Sequence, residues 1–443
     1  LLKLLYYGAL ETGKGNLMVR SAYSSPRKIY AVKNEIADTT TKEGRPLMVL
    51  DLDGNVLLGY NTVDGEPLQK EGLEKGQNIP WNADIDQLLK EGKIIQTIFA
   101  EKPSDVRLPK DLVDQLNANL ESGRIFDIAI LTSRDLGTAE KILEASGVKN
   151  PKGLAFFADS GALGYVNGQS VATYKFETGE KDFLNGVAAL KEECEAAVNR
   201  VLTDEKLEIE GRKELYIEPK NTAINIHYRD ILGHYSPKEG SELDKALSAE
   251  LTKVVNKYLE NSPKTIDGKP VFKTLGAPAA VEVKVAAVDK GKGLKAITKE
   301  ALKAGVKPSA IVYAGDDICK INDAGEVLPG TDYHAFRDGP KIAQELGVKF
   351  YGIHTLHPAN GKLPTPQNAT GFDPRTIDPN PDKTVWPMSD AEHYPDISNN
   401  ISLTLTSPIE TGKLVKEIGI LSEKAATKGG RGPASTNSRL PSL

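Results

Sequence analysis

Two aspartates one residue apart, Asp51 and Asp53, follow the apolar run Leu47-Met-Val-Leu50 and precede Gly54-Asn55. A short apolar run bounded by Pro46 and Gly54 reads as a buried parallel strand. Ligands of open α/β sheets gather at the carboxyl ends of strands, so both carboxylates fall where a site is expected. The first could attack phosphorus and ligate Mg²⁺, and the second could turn toward a leaving group. Gly54 lets the chain bend just beyond them. A polar strand end closed by an Asx turn is the plainer reading of the same residues.

Three further clusters occupy places of the same kind. Leu131-Thr132-Ser133-Arg134 ends a second apolar run, where a hydroxyl and free backbone N–H groups suit a phosphoryl oxygen. Serine and threonine are also ordinary helix caps there. Val288-Asp-Lys290-Gly-Lys292-Gly293 opens a helix and offers an ammonium between two anions, or simply two solvated lysines. Ala314-Gly315-Asp316-Asp317 ends a third apolar run. Mg²⁺ is a hard cation that takes oxygen ligands, and adjacent aspartates repel unless a cation or donors offset them.

The elements that must position these residues follow a rhythm. Helical spacing at 110–120, 136–145, 290–304 and 341–346 alternates with strand-like runs at 126–131, 154–157, 310–314 and 348–353. That alternation implies βαβ units, an α/β fold with a Rossmann-like parallel-sheet core. The pattern between 162 and 286 differs. A long amphipathic helix at 183–202, strands at 215–217 and 223–228, a helix at 242–259 and strands at 271–275 and 280–285 suggest an inserted α+β cap. The expected division is an N-terminal extension over 1–45 and a core over 46–161 and 287–356, with the cap over 162–286. Residues 357–443 form a Pro/Asn-rich C-terminal extension whose small, polar end is expected to be disordered. A length of 443 residues suits such a multidomain arrangement.

Bulk properties narrow the function. With 39% hydrophobic and 26% charged residues the chain belongs to the soluble globular class. A formal net charge of -5 gives no reason to expect nucleic-acid binding, and the apolar runs are too short to span a bilayer. Cys194 and Cys319 are the two cysteines, too few for a disulfide framework and without the spacing of a zinc site. A reducing, cytoplasmic setting is expected, with export on a removed signal as the alternative. Asn368-Ala-Thr and Asn400-Ile-Ser are formal glycosylation sequons of the kind that occur by chance.

Taken in order, the four clusters resemble the haloacid dehalogenase phosphatase superfamily over residues 46–355. Finer features resemble its trehalose-6-phosphate phosphatase branch. One is Glu218-Pro-Lys220-Asn-Thr-Ala-Ile-Asn-Ile-His227-Tyr228-Arg229, and another is Val281-Glu282-Val283-Lys284 running into Lys290-Gly291. Where the branch has His-Gly-Ala-Glu, this chain has Ser160-Gly161-Ala162-Leu163. Where the branch reads GDDxTDEDAF, residues 318–330 stand between Gly315-Asp316-Asp317 and Thr331-Asp332-Tyr333-His334-Ala335-Phe336. Residues 318–330 then read as an inserted loop with Asp332 as the downstream acid and His334 replacing another; the rival alignment uses Asp323.

The resemblance implies the following roles. Asp51 is nucleophile and Mg²⁺ ligand, and Asp53 is general acid/base and supplies a metal-binding backbone carbonyl. Thr132 and Lys290 hold phosphoryl oxygens, Asp316 is a further metal ligand and Asp317 supports it. Ser133 and Arg134, with Glu218, Lys220, His227, Arg229 and Glu282 of the cap, are candidates for substrate contact or cap closure. The implied partner is a small sugar phosphate, with trehalose 6-phosphate foremost and trehalose biosynthesis the setting. Another sugar phosphate, or a non-catalytic phosphosugar-binding relative, is the alternative.

Overall fold

The computed structural model describes residues 24–41, 44–63, 67–69, 73, 77–97, 102–177, 179–232, 235, 237–262, 271–277, 279–321, 327–355, 395–405 and 407–428. In chain order the principal strands begin with β1 (Pro46–Leu50), β2 (Ile128–Leu131), β3 (Ala155–Ala158), β4 (Leu163–Val166) and β5 (Gln169–Ala172). They continue with β6 (Tyr216–Pro219), β7 (Ala223–His227), β8 (Phe272–Ala277), β9 (Ala280–Val285), β10 (Ala310–Gly315), β11 (Lys349–Thr355) and β12 (Ile401–Leu405). The main sheet has the order β12-β11-β10-β1-β2-β3-β4-β5. Pairing is parallel from β12 to β3 and antiparallel through β4 and β5. This is the expected α/β fold with a Rossmann-like parallel core.

Every residue of β1 is buried because both faces of the sheet are covered. The main helices are α1 (Pro26–Asp38), α2 (Lys110–Glu121), α3 (Leu136–Ala145), α4 (Glu180–Ala188), α5 (Lys191–Asp204), α6 (Pro237–Leu259), α7 (Lys290–Lys303), α8 (Tyr333–Leu346) and α9 (Pro408–Lys428). Alternate side chains of β1 feed two separate cores, as a period of two requires. Leu47 and Val49 pack with Leu294 and Ile297 of α7 and Phe336 and Ile342 of α8. Met48 and Leu50 face Leu112 and Leu116 of α2, Ile142 of α3 and Leu414 and Ile418 of α9. A third core lies in the cap, where the antiparallel sheet β8-β9-β7-β6 buries Ile224, Ile226, Val281 and Val283 against α4, α5 and α6.

Several expectations change. Residues 1–45 showed no periodicity, yet α1 occupies part of them, capped by the Ser25 hydroxyl accepting from Lys28 N at 3.2 Å. Its Ile36 reaches the core beneath the sheet. The supposed C-terminal extension contributes β12 to the main sheet and α9 to its covering layer, with Leu403, Leu405, Leu414 and Ile418 buried. The Pro/Asn-rich composition before residue 395 masked that apolar spacing. Residues 356–394 and 429–443, including Asn368 and the tail expected to be disordered, lie outside the described residues. Residues 163–172 belong to the main sheet, so the cap begins after β5 and not at 162.

Smaller differences have local causes. The single helix expected at 183–202 is split into α4 and α5. The helix expected at 341–346 begins at Tyr333 and carries Pro340 inside it. The mixed stretch 55–108 holds a small antiparallel sheet of Leu58–Thr62, Ile94–Thr97 and Val106–Arg107, with its own cluster of Leu58, Tyr60, Ile79 and Ile94. The side-chain nitrogen of Asn400, one of the two sequon positions, donates to Phe336 O at 3.0 Å.

Candidate active site

The carboxyl ends of β1, β2 and β10 are neighbours in the sheet, so their terminal residues converge. Asp51 leaves β1 with its N–H donating to Ala314 O at 2.9 Å. Asn55 fastens the same bend, its amide donating to Asp51 O at 3.1 Å and Ala314 O at 3.0 Å. Asn55 Oδ1 accepts from Thr355 on β11 at 2.7 Å, which ties three strand ends together. The sequence showed Asn55 but not this anchoring function.

Asp51 is 3% exposed, and its Oδ2 lies 2.8 Å from Lys290 Nζ. Lys290 is the first residue of α7, behind the Asp289 N-cap, so the helix entry aims its ammonium into the site. The small residues of this motif have a packing reason. A Cβ on Gly161 would collide with Gly293 Cα, which lets α7 press against the turn after β3. The ammonium also meets Asp332 Oδ1 at 2.6 Å. Burial opposes the charge on Lys290, but Asp332 and Asp51 outweigh it and hold the amine protonated well above the usual lysine range.

Of the two candidates for the acid downstream of Asp316, Asp332 lies beside Asp51 and Lys290. The segment after Asp317 folds into a hairpin of Cys319–Ile321 and Val327–Pro329, and Asp332 N donates to Asp317 O at 2.8 Å. The loop therefore leaves and returns to the same point. Asp323 lies outside the described residues. Asp332 is fully buried and saturated with donors. Its Oδ1 accepts from Lys290 and from Tyr313 at 2.5 Å, and its Oδ2 from the amides of Asp316 at 2.9 Å and Asp317 at 3.0 Å. A Cβ on Gly315 would stand 2.6 Å from Asp332 Cγ, so this close approach requires glycine. Tyr313 was missed because it sits within an apolar run.

Ligand atoms of Asp51, Asp316 and Asp332 lie within 4.8 Å of one another. Their donor sets divide the roles. Asp332 has its lone pairs engaged by two side chains and two amides, which suits a brace. Asp51 Oδ1 is buried with no hydrogen-bond partner among the described residues. Burial, then Asp332 and Asp316, push Asp51 upward against the pull of Lys290. Burial, Asp332 and Asp317 likewise push Asp316 upward. A divalent cation taken by Asp51 Oδ1 and Asp316 would supply the missing partner and offset that repulsion, so the residues fit a hard metal ion.

Asp317 was expected in the metal set, but its Oδ2 accepts from Thr331 N at 3.0 Å and its side chain is outside this cluster. The Asp53 side chain is outside it too. Both its oxygens accept from Arg134, Nε at 3.0 and 2.8 Å and Nη2 at 2.6 Å. Arg134 follows Thr132 and Ser133 at the end of β2. Thr132 is fully buried, with Oγ1 accepting from Arg134 N at 3.2 Å.

Cap residues reach the same mouth. Lys220 Nζ donates to Ser133 O at 3.2 Å and lies 3.9 and 4.0 Å from Glu218 and Glu282. Glu218 Oε2 is 3.0 Å from His227 Nε2. Burial alone would raise Glu218, but the His227 hydrogen bond and the Lys220 charge bring it down to about 2. Arg229 departs from expectation. It begins the short helix Arg229–Leu232 after β7, and it is exposed. His334 groups with Asp289 and Asp338, a cluster separate from that of Asp51, Asp316 and Asp332.

No family model matches the chain, and no curated protein matches it. Among solved structures, the chain is similar to the following. A trehalose-6-phosphate phosphatase related protein is 16% identical, over 85% of this chain and 98% of that one, with a TM-score of 0.40. The trehalose-6-phosphate phosphatase C-terminal domain of C. albicans is 15% identical over 90% and 98%, TM-score 0.44. The C-terminal domain of a Candida albicans trehalose synthase regulatory protein is 12% identical over 75% and 92%, TM-score 0.41. Values this low carry no argument about chemistry, which rests on the residues themselves. No helix among the described residues is long and apolar enough to cross a membrane.

Proposed function

We propose that this protein is a Mg²⁺-dependent phosphomonoester hydrolase of the haloacid dehalogenase type. The observation that carries the reading is Asp51 itself. It is a buried carboxylate at a strand end, with one oxygen on Lys290 and the other, beside Asp316, without a hydrogen-bond partner among the described residues. A bound Mg²⁺, held by Asp51 and Asp316, would neutralise charge on the phosphate oxygens.

Asp51 attacks phosphorus through a carboxylate oxygen, and the bond from phosphorus to the leaving oxygen breaks to give an aspartyl-phosphate. Asp53 gives its proton to the leaving alkoxide, then takes one from the water that attacks phosphorus and restores Asp51. Lys290 and Thr132 stabilise charge on the remaining phosphoryl oxygens. Both Asp53 oxygens are engaged by Arg134 in the substrate-free protein. An arriving phosphate competes for that guanidinium and frees Asp53 to carry the proton.

The substrate we favour is a sugar phosphate, trehalose 6-phosphate before others. Glu218, Lys220, His227 and Glu282 bring alternating charges from the cap to the mouth of the site, which suits hydroxyl groups beside a phosphate. The scarcity of cysteine supports a reducing, cytoplasmic setting. The test is phosphate release from trehalose 6-phosphate with and without Mg²⁺, beside glucose 6-phosphate and sucrose 6-phosphate, with Asp51→Asn as control. Selective, metal-dependent release from the first supports the whole reading. Release only from the others discards the substrate and keeps the mechanism. Full activity in Asp51→Asn rejects the mechanism.

A further inference from the structure

Asp159 is 3% exposed, and neither of its carboxylate oxygens has a hydrogen-bond partner of good geometry among the described residues. A buried, unsatisfied carboxylate is costly, so its surroundings require an explanation. It stands in the turn after β3, where Asp159 and Ser160 both take left-handed backbone angles, φ 50° and 55°. Aspartate tolerates that region better than most residues, but two in succession are strained.

The cap covers this turn. Burial pushes the Asp159 carboxyl up to about 7, with Asp135 adding to it. The Lys220 ammonium and, more weakly, the amides of Thr222 and Asn221 between β6 and β7 pull the other way. The neighbouring residue meets the cap as well, Lys284 Nζ donating to Ser160 Oγ at 3.2 Å. Thr222 and Lys284 belong to one end of the cap sheet, where Val285 N donates to Thr222 O at 2.9 Å. The turn at 159–161 is therefore the seat on which that end of the cap rests.

We propose that Asp159 is a proton-operated release for the cap: neutral, it lets the 221–222 turn sit on the core, and ionised, it drives the turn off toward water. The charged groups that face it are Lys220 from the turn between β6 and β7, and Asp135 at the N-cap of α3. Lys284 of β9 stands one residue away on Ser160. Arg134 contributes its carbonyl, which accepts from Asp159 N at 2.8 Å.

The direction follows from proton linkage. An unseated Asp159 is an ordinary solvated carboxyl, whereas the seated one holds its proton up to about 7. Between those values the seated state binds more protons, so the contribution of Asp159 to seating is present below about 7 and is lost as pH rises through it. From pH 6 to pH 8 the seating equilibrium should fall about tenfold.

Amide hydrogen exchange on the full chain without substrate tests this independently of any phosphatase activity. After correction for intrinsic exchange, protection of Asn221 and Thr222 should fall about tenfold from pH 6 to pH 8, while α3 amides do not change. Asp159→Asn is neutral throughout and tolerates the left-handed backbone, so it should keep the pH 6 level at both values. Asp159→Gly accommodates the same φ and should likewise give a flat profile, which covers a failure of the Asn variant to fold. A wild-type protein with no pH dependence at 221–222, or variants with the same dependence as wild type, would overturn the proposal.

Discussion

Arg134 grips Asp53 along one edge, Nε reaching both carboxylate oxygens and Nη2 a second time reaching Oδ1 at 2.6 Å. The two residues were expected to act separately, one on the proton and one on the substrate. On the proposed reading, that pairing makes phosphate binding and release of Asp53 depend on one guanidinium. Arg134→Gln should raise KM for a phosphomonoester about ten- to hundredfold, the worth of a charge-assisted contact. An unchanged KM in steady-state phosphate release would show that Arg134 does not meet the substrate.

Asp51→Asn should reduce turnover on the order of a thousandfold or more while the protein stays folded. Lys290 retains Asp332 in that variant, so no buried charge is left without a partner. Phosphate release measured beside a circular-dichroism melt checks both halves of the statement.

Lys290→Met should do the opposite to stability. It leaves Asp51 and Asp332 buried without their shared cation, and the loss should be about 3–5 kcal/mol in urea unfolding. A loss below about 1 kcal/mol would mean that the carboxylates find other compensation.

Mg²⁺ should raise the melting temperature in proportion to the logarithm of its concentration once above its dissociation constant. Asp316→Asn should abolish most of that shift, because Asp316 is one of the two residues assigned to the ion. Asp317→Asn should leave it nearly intact, since that side chain is engaged by Thr331 N. Differential scanning fluorimetry with and without EDTA separates the two variants.

Acid should loosen the cap through Glu218. Its folded value of about 2 lies below the ordinary 4.5, so the folded state binds fewer protons between those values. The associated stability is present above about 4.5 and is lost as pH falls toward 2. The effect is on the order of 3 kcal/mol at most. Glu218→Gln should flatten that part of the acid-unfolding curve, followed by far-ultraviolet circular dichroism.

The core strands were legible because each is a short apolar run with nothing polar inside it, as β1 shows. The position of Asp51, Thr132 and Asp316 at or just beyond strand ends was legible for the same reason, since a strand boundary shows as the end of an apolar run. Asp332 was legible only as one of two choices, because a hairpin of unknown path separates it from Asp316. The partner of Asp53 was not legible at all. Residues 53 and 134 are distant in sequence, and only the adjacency of β1 and β2 brings them together. Arg229 was named only through the resemblance of residues 218–229, and it stands where the backbone turns helical just after β7. The apolar spacing in β12 and α9 was overlooked behind the proline-rich stretch.

The position of β12 bears on the order in which the molecule can be made. It closes one edge of a parallel sheet whose central strand, β1, is synthesised more than three hundred residues earlier. Until Ile401–Leu405 leaves the ribosome, β11 presents unpaired N–H and C=O groups along that edge, and Leu403 and Leu405 cannot complete the layer beneath. The cap has its own apolar cluster and all its strands by residue 285, so it can assemble while the core is still waiting. A nascent chain halted before residue 401 would therefore hold a finished lid over an unfinished floor, with a sticky edge that invites strand exchange between neighbouring chains.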